Sequence, residues 1–308
     1  MRSLFQYFNR RKPTTKYVLS LDGGGVRAIA ALVFLRRLEA ASGKKVFDIF
    51  DFFIGTSAGG INALNIGGLG MDSNELEEFW SQENLNKTMS KSFWGTGSFL
   101  QTKPKYDGIG KREVLFNTFK DLSLGESKKP VAVLAYDVEK RIPRLLSSYD
   151  EPGIKILSAA SATSAAPIYY STQEIDDGSW LIDGGIVANN PSLLGYAEAQ
   201  KLFPNNNIKI LSIGAGINRR KINGKNSSKW GALNWFNHDI LGIMLESSIF
   251  DEIATDLVGE NYLRINSPTG LVNRRMDDNS DVNLERIHLM GMEWWSEFGS
   301  KTSKFLNL

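Results

Sequence analysis

The sequence contains no cysteine and only two histidines, His238 and His288. The absence of cysteine excludes disulfides, thiolate zinc sites and cysteine nucleophiles, and it fits a reducing compartment such as the cytoplasm. No apolar run approaches the roughly 18 residues that span a bilayer, and the N-terminus lacks the apolar core of a signal peptide. We therefore expect a cytoplasmic protein, and we expect it to use no metal and no cofactor.

Basic and acidic residues are nearly equal in number, 36 and 34 among 308, so the net charge does not favour a nucleic acid polymer as partner.

Three local stretches each allow two interpretations. The basic residues 1–16 could form an interfacial anchor or a loose arm. Residues 91–106 could form a lid or an ordinary surface loop. Residues 201–237 hold seven basic residues and no acid, which fits an anionic surface or a solvated loop.

A serine stands at a predicted strand-to-helix turn. A largely apolar run from Phe47 to Ile54 predicts a buried strand, and residues 61–66 predict the opening of a helix. Between them lies Gly55-Thr56-Ser57-Ala58-Gly59, which matches the G-x-S-x-G nucleophile elbow. A sharp turn brings the residues two before and two after the serine together, so side chains there would clash. The alternative is a glycine-rich turn with an incidental serine.

A second glycine-rich turn follows the first predicted strand, Tyr17–Leu21. Its sequence is Asp22-Gly23-Gly24-Gly25-Val26-Arg27, and a helix is predicted from Ala28 to Ala41. Successive backbone N–H groups in such a turn can converge on an anion. The turn could be an oxyanion hole for the serine. It could also be a dinucleotide loop, since Gly23, Gly25 and Ala28 satisfy G-x-G-x-x-A, or a plain tight turn capped by Asp22.

Further strands are predicted at Val131–Asp137, Trp180–Asp183 and Ile208–Ile213, and further helices at residues 154–166 and 192–202. Strands alternating with helices predict an α/β fold with a doubly wound, mostly parallel sheet and helices on both faces. Strand-to-helix turns share one edge of such a sheet, so the glycine turn, Ser57 and Asp183 should meet there. Both histidines lie away from the strand-end motifs. Asp183 is therefore the candidate base, which makes a Ser–Asp dyad.

These motifs resemble those of the patatin-like phospholipases. The resemblance rests on Asp22–Arg27, Gly55–Gly59, Ala165-Ala166-Pro167, Asp183-Gly184-Gly185 with Asn189-Asn190-Pro191, and Leu211–Gly216, which occur in family order. It implies a lipid acyl hydrolase with a Ser57–Asp183 dyad, and an oxyanion hole from Gly23, Gly24 and Gly25 supported by Arg27. The expected layout is a basic arm over 1–16, a catalytic core over 17–216, and a C-terminal helical part of the same domain over 217–308.

The resemblance also implies a membrane phospholipid substrate and transient contact with a membrane surface, so the active protein would be peripheral. Some bacterial members are anti-phage effectors activated by cyclic nucleotides, and the compact chain looks similar to them. A small-molecule activator and a homo-oligomer stay open. Two rival functions also stay open. They are a nucleotide-binding domain, which lacks its ribose-binding acid because Gly55-Thr56-Ser57 stands after the second strand, and a catalytically silent interaction module.

Overall fold

A computed structural model describes residues 14–91, 103–231, 234–235, 242–243 and 249–308. Most of the predicted basic arm and most of the predicted excursion over residues 91–106 lie outside these ranges, and so does His238. Thr15 and Lys16, which were predicted to belong to the arm, are the first residues of the first strand.

The strands are β1 (Thr15–Leu21), β2 (Phe52–Thr56), β3 (Val131–Asp137), β4 (Ile142–Ser147), β5 (Gln173–Glu174), β6 (Trp180–Asp183), β7 (Asn207–Ile213) and β8 (Tyr262–Ile265). The α-helices are α1 (Ile29–Ser42), α2 (Val46–Ile49), α3 (Ser57–Ala63), α4 (Ser73–Phe79), α5 (Gln82–Thr88), α6 (Ile109–Phe119), α7 (Ile156–Thr163), α8 (Ser192–Leu202), α9 (Gly224–Ser227), α10 (Ile249–Val258) and α11 (Asp281–Leu306). Short 3-10 turns cover Gly25–Ala28, Leu124–Glu126, Gly184–Ile186 and Gly259–Asn261, and a π-helical turn covers Leu64–Gly68.

The strands form one mixed sheet in the order β5-β6-β3-β2-β1-β7-β8, and β4 also pairs with β3. Neighbours from β3 through β2, β1 and β7 to β8 are parallel. β4 and β6 run antiparallel to β3, and β5 runs antiparallel to β6. The prediction of a mostly parallel α/β sheet is therefore confirmed.

Helices cover both faces of the sheet. On one face, α1 packs against α11, where Phe34 meets Trp295 edge to face with ring centroids 5.4 Å apart. On the other face, α8 packs on β1 and β7, and Ala199 joins a smaller apolar cluster with Val18 and Ile210. Burial of both faces explains why the central strands read as apolar runs.

Two details differ from the sequence prediction. The apolar run from Phe47 begins with the short helix α2, and the strand starts only at Phe52. Val46 and Ile49 are both buried, at the spacing of one helical turn, and a short apolar run does not distinguish this from a strand. The C-terminal part is not helical throughout, because β8 adds an edge strand there. Four residues are too few for a strand pattern to stand out beside long helical patterns.

Candidate active site

The end of β2 and the end of β6 meet head on. Thr56, the last residue of β2, pairs with Leu134 of β3. Asp183, the last residue of β6, pairs with the next residue, Ala135. Since β4 occupies the other edge of β3 over the same positions, β6 continues the line of β2 from the opposite direction. Ser57, directly after Thr56, is therefore carried towards Asp183.

The turn at Ser57 has the geometry of a nucleophile elbow. Ser57 has φ 56°, a left-handed conformation that is strained for a residue with a side chain. A β-carbon on Gly55 would lie 2.3 Å from the carbonyl oxygen of Gly59, and one on Gly59 would lie 2.4 Å from the carbonyl oxygen of Asp22. The steric reason predicted for both glycines thus holds. The backbone N–H of Ser57 donates to Thr163 Oγ1 at 3.0 Å, which fixes the turn from the side.

The side chains of Ser57 and Asp183 face the same small cavity, and the Ser57 hydroxyl acts on the Asp183 carboxylate as a donor that lowers its pKa. Asp183 is only 5% exposed, and its Oδ1 accepts a 2.7 Å bond from the N–H of Gly185. Burial raises the pKa of Asp183 to about 6, while the bonds from Ser57 and Gly185 and the charge of Lys111 oppose that rise. At neutral pH the carboxyl is thus mostly ionised, yet more basic than a free aspartate.

The Asp22–Arg27 turn lies against Ser57, since a β-carbon on Gly23 would lie 3.0 Å from Ser57 Cβ. The Gly23 N–H is engaged by the carbonyl of Asn189 at 3.2 Å. In the described ranges, no backbone or side-chain oxygen is bonded to the amides of Gly24 and Gly25. Of the three glycines, these two therefore have amides available to an anion. The backbone N–H of the buried Arg27 donates to the carbonyl of Gly24 at 3.2 Å.

The C-terminal part holds this turn in place. The N–H of Val26 donates to the carbonyl of Met276 at 2.9 Å. The Asp22 carboxylate accepts two bonds from Arg264 of β8, at 2.8 and 2.5 Å, and Arg264 also donates to Ser212 at 2.7 Å. Burial raises the pKa of Asp22 and the Arg264 charge opposes this. Asp22 therefore fastens the turn to β8. Arg264 and Met276 carry no sequence motif and were not predicted.

An apolar cavity of about 90 Å³ opens at Ser57. Its lining includes side chains from α3 to α6 and from the turn after α7, among them Ile61, Phe79, Leu85, Lys111, Leu115 and Tyr170. A smaller cavity of about 30 Å³ adjoins Ser57 and Asp183, and Met276 lines both. An apolar cavity ending at a serine suits an acyl chain whose ester lies at the hydroxyl.

His288 lies on α11 in a different groove, which it lines with Arg36, Arg37 and Trp80, and which does not reach Ser57. Within the described ranges, no cluster of three or more histidine and acidic side chains is arranged to hold a metal ion. No helix traced in those ranges has the length and apolar character needed to cross a membrane.

Comparison with known proteins identifies a family and several relatives. The family model for patatin-like phospholipases matches residues 19–194. A cGAMP-activated phospholipase of Pseudomonas aeruginosa is 29% identical over 89% of this chain and 84% of its own length. Patatin-like protein 2 of Arabidopsis thaliana is 27% identical over 82% of this chain and 75% of its own.

Two solved structures share the fold. VipD from Legionella pneumophila aligns with a TM-score of 0.50 and 15% identity, covering 93% of this chain and 67% of its own. Human GIVD cytosolic phospholipase A2 aligns with a TM-score of 0.52 and 10% identity, covering 96% of this chain and 62% of its own. The family model spans more than half of the sequence and includes the elbow, the glycine-rich turn and Asp183, so this chain belongs to the patatin-like phospholipase family.

Proposed function

We propose that the protein hydrolyses acyl esters of membrane phospholipids with Ser57 as nucleophile and Asp183 as general base. The observation that carries this proposal is the placement of Ser57, on a strained turn at the end of an apolar cavity, beside the buried Asp183 carboxylate, with which it lines a second small cavity. A nucleophile on a strained turn, next to an ionised base, is the arrangement that covalent acyl transfer requires.

The proposed reaction has two stages. Ser57 Oγ attacks the ester carbonyl carbon while its proton passes to Asp183, and the carbonyl oxygen becomes an oxyanion. The amides of Gly24 and Gly25 would stabilise that charge, with the Gly23 amide held away by Asn189. Collapse breaks the ester bond and the alcohol leaves with the proton. Water then attacks the acyl-enzyme carbonyl and gives a proton to Asp183. The bond between Ser57 Oγ and the acyl carbon breaks, Asp183 returns the proton to Ser57 Oγ, and the fatty acid is released.

The surroundings of Ser57 favour lipid over the rival functions. The cavity is apolar along most of its wall, which suits a hydrocarbon chain. A dinucleotide pyrophosphate would need the space above Gly25, but the carbonyl oxygen of Met276 lies 2.0 Å from where a Gly25 β-carbon would be. A catalytically silent interaction module would not require a serine in a strained backbone conformation. Substrate in a bilayer implies transient contact with the membrane surface and a peripheral location.

The experiment that tests this proposal compares wild type, Ser57→Ala and the matched control Ser158→Ala, a serine on α7 outside the Ser57 cavities. Each protein receives a fluorophosphonate probe and phospholipid vesicles, and released fatty acid is measured by mass spectrometry. We expect labelling and hydrolysis in wild type and Ser158→Ala, and neither in Ser57→Ala. Hydrolysis by folded Ser57→Ala near the wild-type rate would contradict the proposal.

A second proposed feature is activation by a cyclic nucleotide in an anti-phage role. It is supported by the similarity to the cGAMP-activated phospholipase of Pseudomonas aeruginosa. A cavity of about 380 Å³ is lined by Arg220, Lys221, Arg274, Trp230 and Asn223, a set that suits phosphate and a planar ring. Hydrolysis measured with and without cGAMP, in wild type and Lys221→Ala, tests it. If cGAMP did not stimulate hydrolysis by the wild type, this proposal would be refuted, and the proposed esterase activity would not be affected.

The predicted homo-oligomer stays a prediction. Light scattering on the purified protein, with and without cGAMP, measures the mass in solution and tests it directly.

A further inference from the structure

Lys111 is buried at a place that disfavours a positive charge. It lies in the first turn of α6 and is 6% exposed, in the wall of the cavity that ends at Ser57. The first turn of a helix is its positive end, and burial strips an ammonium of water. No salt bridge within 4 Å joins Lys111 to a carboxylate in the ranges that the structure covers. Burial lowers the pKa of Lys111 to about 7.

The contacts of Lys111 lie at the end of α7. Its Nζ donates to the carbonyl of Ser164 at 2.8 Å and to that of Ser161 at 3.3 Å. The ammonium also lies 4.3 Å from the centre of the Tyr170 ring. The last carbonyls of a helix lack partners within the helix, and this end is negative. Lys111 thus satisfies the last turn of α7.

That same turn positions both proposed catalytic residues. Thr163 Oγ1 accepts the bond from the Ser57 N–H at 3.0 Å and donates to the Leu134 carbonyl at 2.6 Å. The carbonyl of Ala165 accepts the N–H of Asp183 at 3.1 Å. A displacement of this turn would therefore move the nucleophile and the base relative to each other.

We propose that Lys111 is a positioning residue for Ser57 and Asp183, which fastens the end of α7 between them and places its charge towards the Asp183 carboxylate. The proposal rests on the Ser57–Asp183 dyad proposed above. It predicts two separable effects. Loss of the donor loosens the turn and lowers turnover, and loss of the charge makes Asp183 easier to protonate.

The charge has the right sign in the relevant pH range. The Lys111 ammonium opposes the rise in the pKa of Asp183 caused by burial. With a pKa of about 7, Lys111 is charged where Asp183 takes up its proton, near pH 6. It therefore keeps the base ionised there. Above pH 7 the neutral amine still has two N–H bonds for the carbonyls of Ser161 and Ser164.

The other charged groups around the cavity are compensated or neutral. Asp277 is paired with Lys105 and Arg275, and burial raises the pKa of Tyr106 and of Tyr170, so both tyrosines stay neutral. Asp107, which also acts on Tyr170, is bonded to Ser90. Lys111 is the charged group whose electrostatic effect lowers the pKa of Asp183.

The test measures kcat/KM for a soluble acyl ester from pH 5 to 8 in wild type, Lys111→Met and Lys111→Arg. Lys120→Met is the matched control, because Lys120 follows the same helix, is exposed and also lies over an aromatic ring, that of Phe116. We expect Lys111→Met to lower the plateau and to move the midpoint of the acidic limb upward by on the order of one pH unit. Lys111→Arg should keep the wild-type midpoint, and Lys120→Met should change neither quantity.

A merely structural lysine would give a different result. If folded Lys111→Met kept the wild-type acidic limb, the proposal would be overturned, whatever happened to its melting temperature. Should Lys111→Met fail to fold, Lys111→Gln, which keeps a donor without charge, replaces it. If both neutral variants failed to fold while Lys111→Arg folded, Lys111 would serve folding instead, which also overturns the proposal. Asp183→Asn in the same series separates the two proposals, since its activity would refute the dyad itself.

Discussion

Replacing Asp183 by asparagine should abolish hydrolysis and make the protein more stable. The carboxylate is buried, and its pKa is raised from the ordinary 3.8 to about 6 mainly by that burial. Asparagine keeps the shape and can still accept the N–H of Gly185, but it has no basic lone pair for the Ser57 proton and no charge to bury. Activity and stability should therefore change in opposite directions, as expected where a site is built against stability.

The magnitude follows from the two pKa values. Each pH unit between the folded and unfolded pKa is worth about 1.4 kcal/mol, so an ionised Asp183 costs the folded state about 3 kcal/mol at pH 8. The folded state holds its proton more tightly than the unfolded one. The cost is therefore absent well below pH 3.8, grows as pH rises towards 6, and is constant above about pH 7. At pH 5 it is about half the value at pH 8.

Urea denaturation followed by circular dichroism at pH 5 and pH 8 measures this difference. We expect Asp183→Asn to unfold at higher urea than wild type at both pH values, with the larger gain in unfolding free energy at pH 8. Asp176→Asn serves as the control, because Asp176 is an exposed aspartate. A variant no more stable than wild type, or a gain in stability that did not depend on pH, would refute this prediction.

Three further predictions concern the surroundings of the proposed Ser57–Asp183 dyad. Gly24→Ala should lower kcat by roughly 10²–10³-fold and leave substrate binding intact, because a β-carbon there would lie 2.3 Å from Ala215 Cβ and would displace one amide donor. Steady-state kinetics measure kcat, and an unchanged kcat would count against an oxyanion role for this amide. Arg264→Met should lower the free energy of unfolding by about 3–5 kcal/mol, because it leaves the buried Asp22 charge without its partner. Urea denaturation measures this free energy, and a decrease below about 1 kcal/mol would contradict the prediction. His288→Asn should keep wild-type turnover, since His288 lines a groove separate from the serine; an inactive but folded variant would revive a histidine base.

The sequence predicts the residues of the site better than the way in which they meet. The G-x-S-x-G spacing identifies the elbow because close backbone approach leaves no room for side chains at Gly55 and Gly59. The convergence of Ser57 and Asp183 was inferred from a rule for parallel strands. β6 is antiparallel to β3, and the two residues meet because their strands end head on at neighbouring positions of β3. The direction of a four-residue strand within a sheet cannot be predicted from its own sequence.

Lys111 and Arg264 could not be predicted because their roles depend on distant contacts. Lys111 bonds to carbonyls 50 and 53 residues away, and Arg264 to a carboxylate 242 residues away. No local period or motif surrounds either residue. The one available signal is an arginine between Leu263 and Ile265 in a short apolar strand, which is a costly position for a charge without a partner.

Burial raises the pKa of Asp183 to about 6, and this makes one test for the base less informative. An ordinary aspartate and an ordinary histidine would give acidic limbs near pH 3.9 and 6.5. With the pKa of Asp183 raised to about 6, the two limbs nearly coincide. Activity at mildly acidic pH therefore does not distinguish the two bases, and the assignment depends on comparing Asp183→Asn with His288→Asn and His238→Asn.

The C-terminal part completes a site whose motifs all lie before residue 217. Arg264 neutralises the buried carboxylate of Asp22, and the carbonyl of Met276 takes the N–H of Val26. Both contacts act on the turn that carries the Gly24 and Gly25 amides. Without them, a buried charge would lose its partner and the turn would lose the contact opposite Ser57. The family model ends at residue 194, yet the Asp22–Arg27 turn is held by β8 and the segment after it. This dependence is why we propose that the core and the C-terminal part form one folding unit.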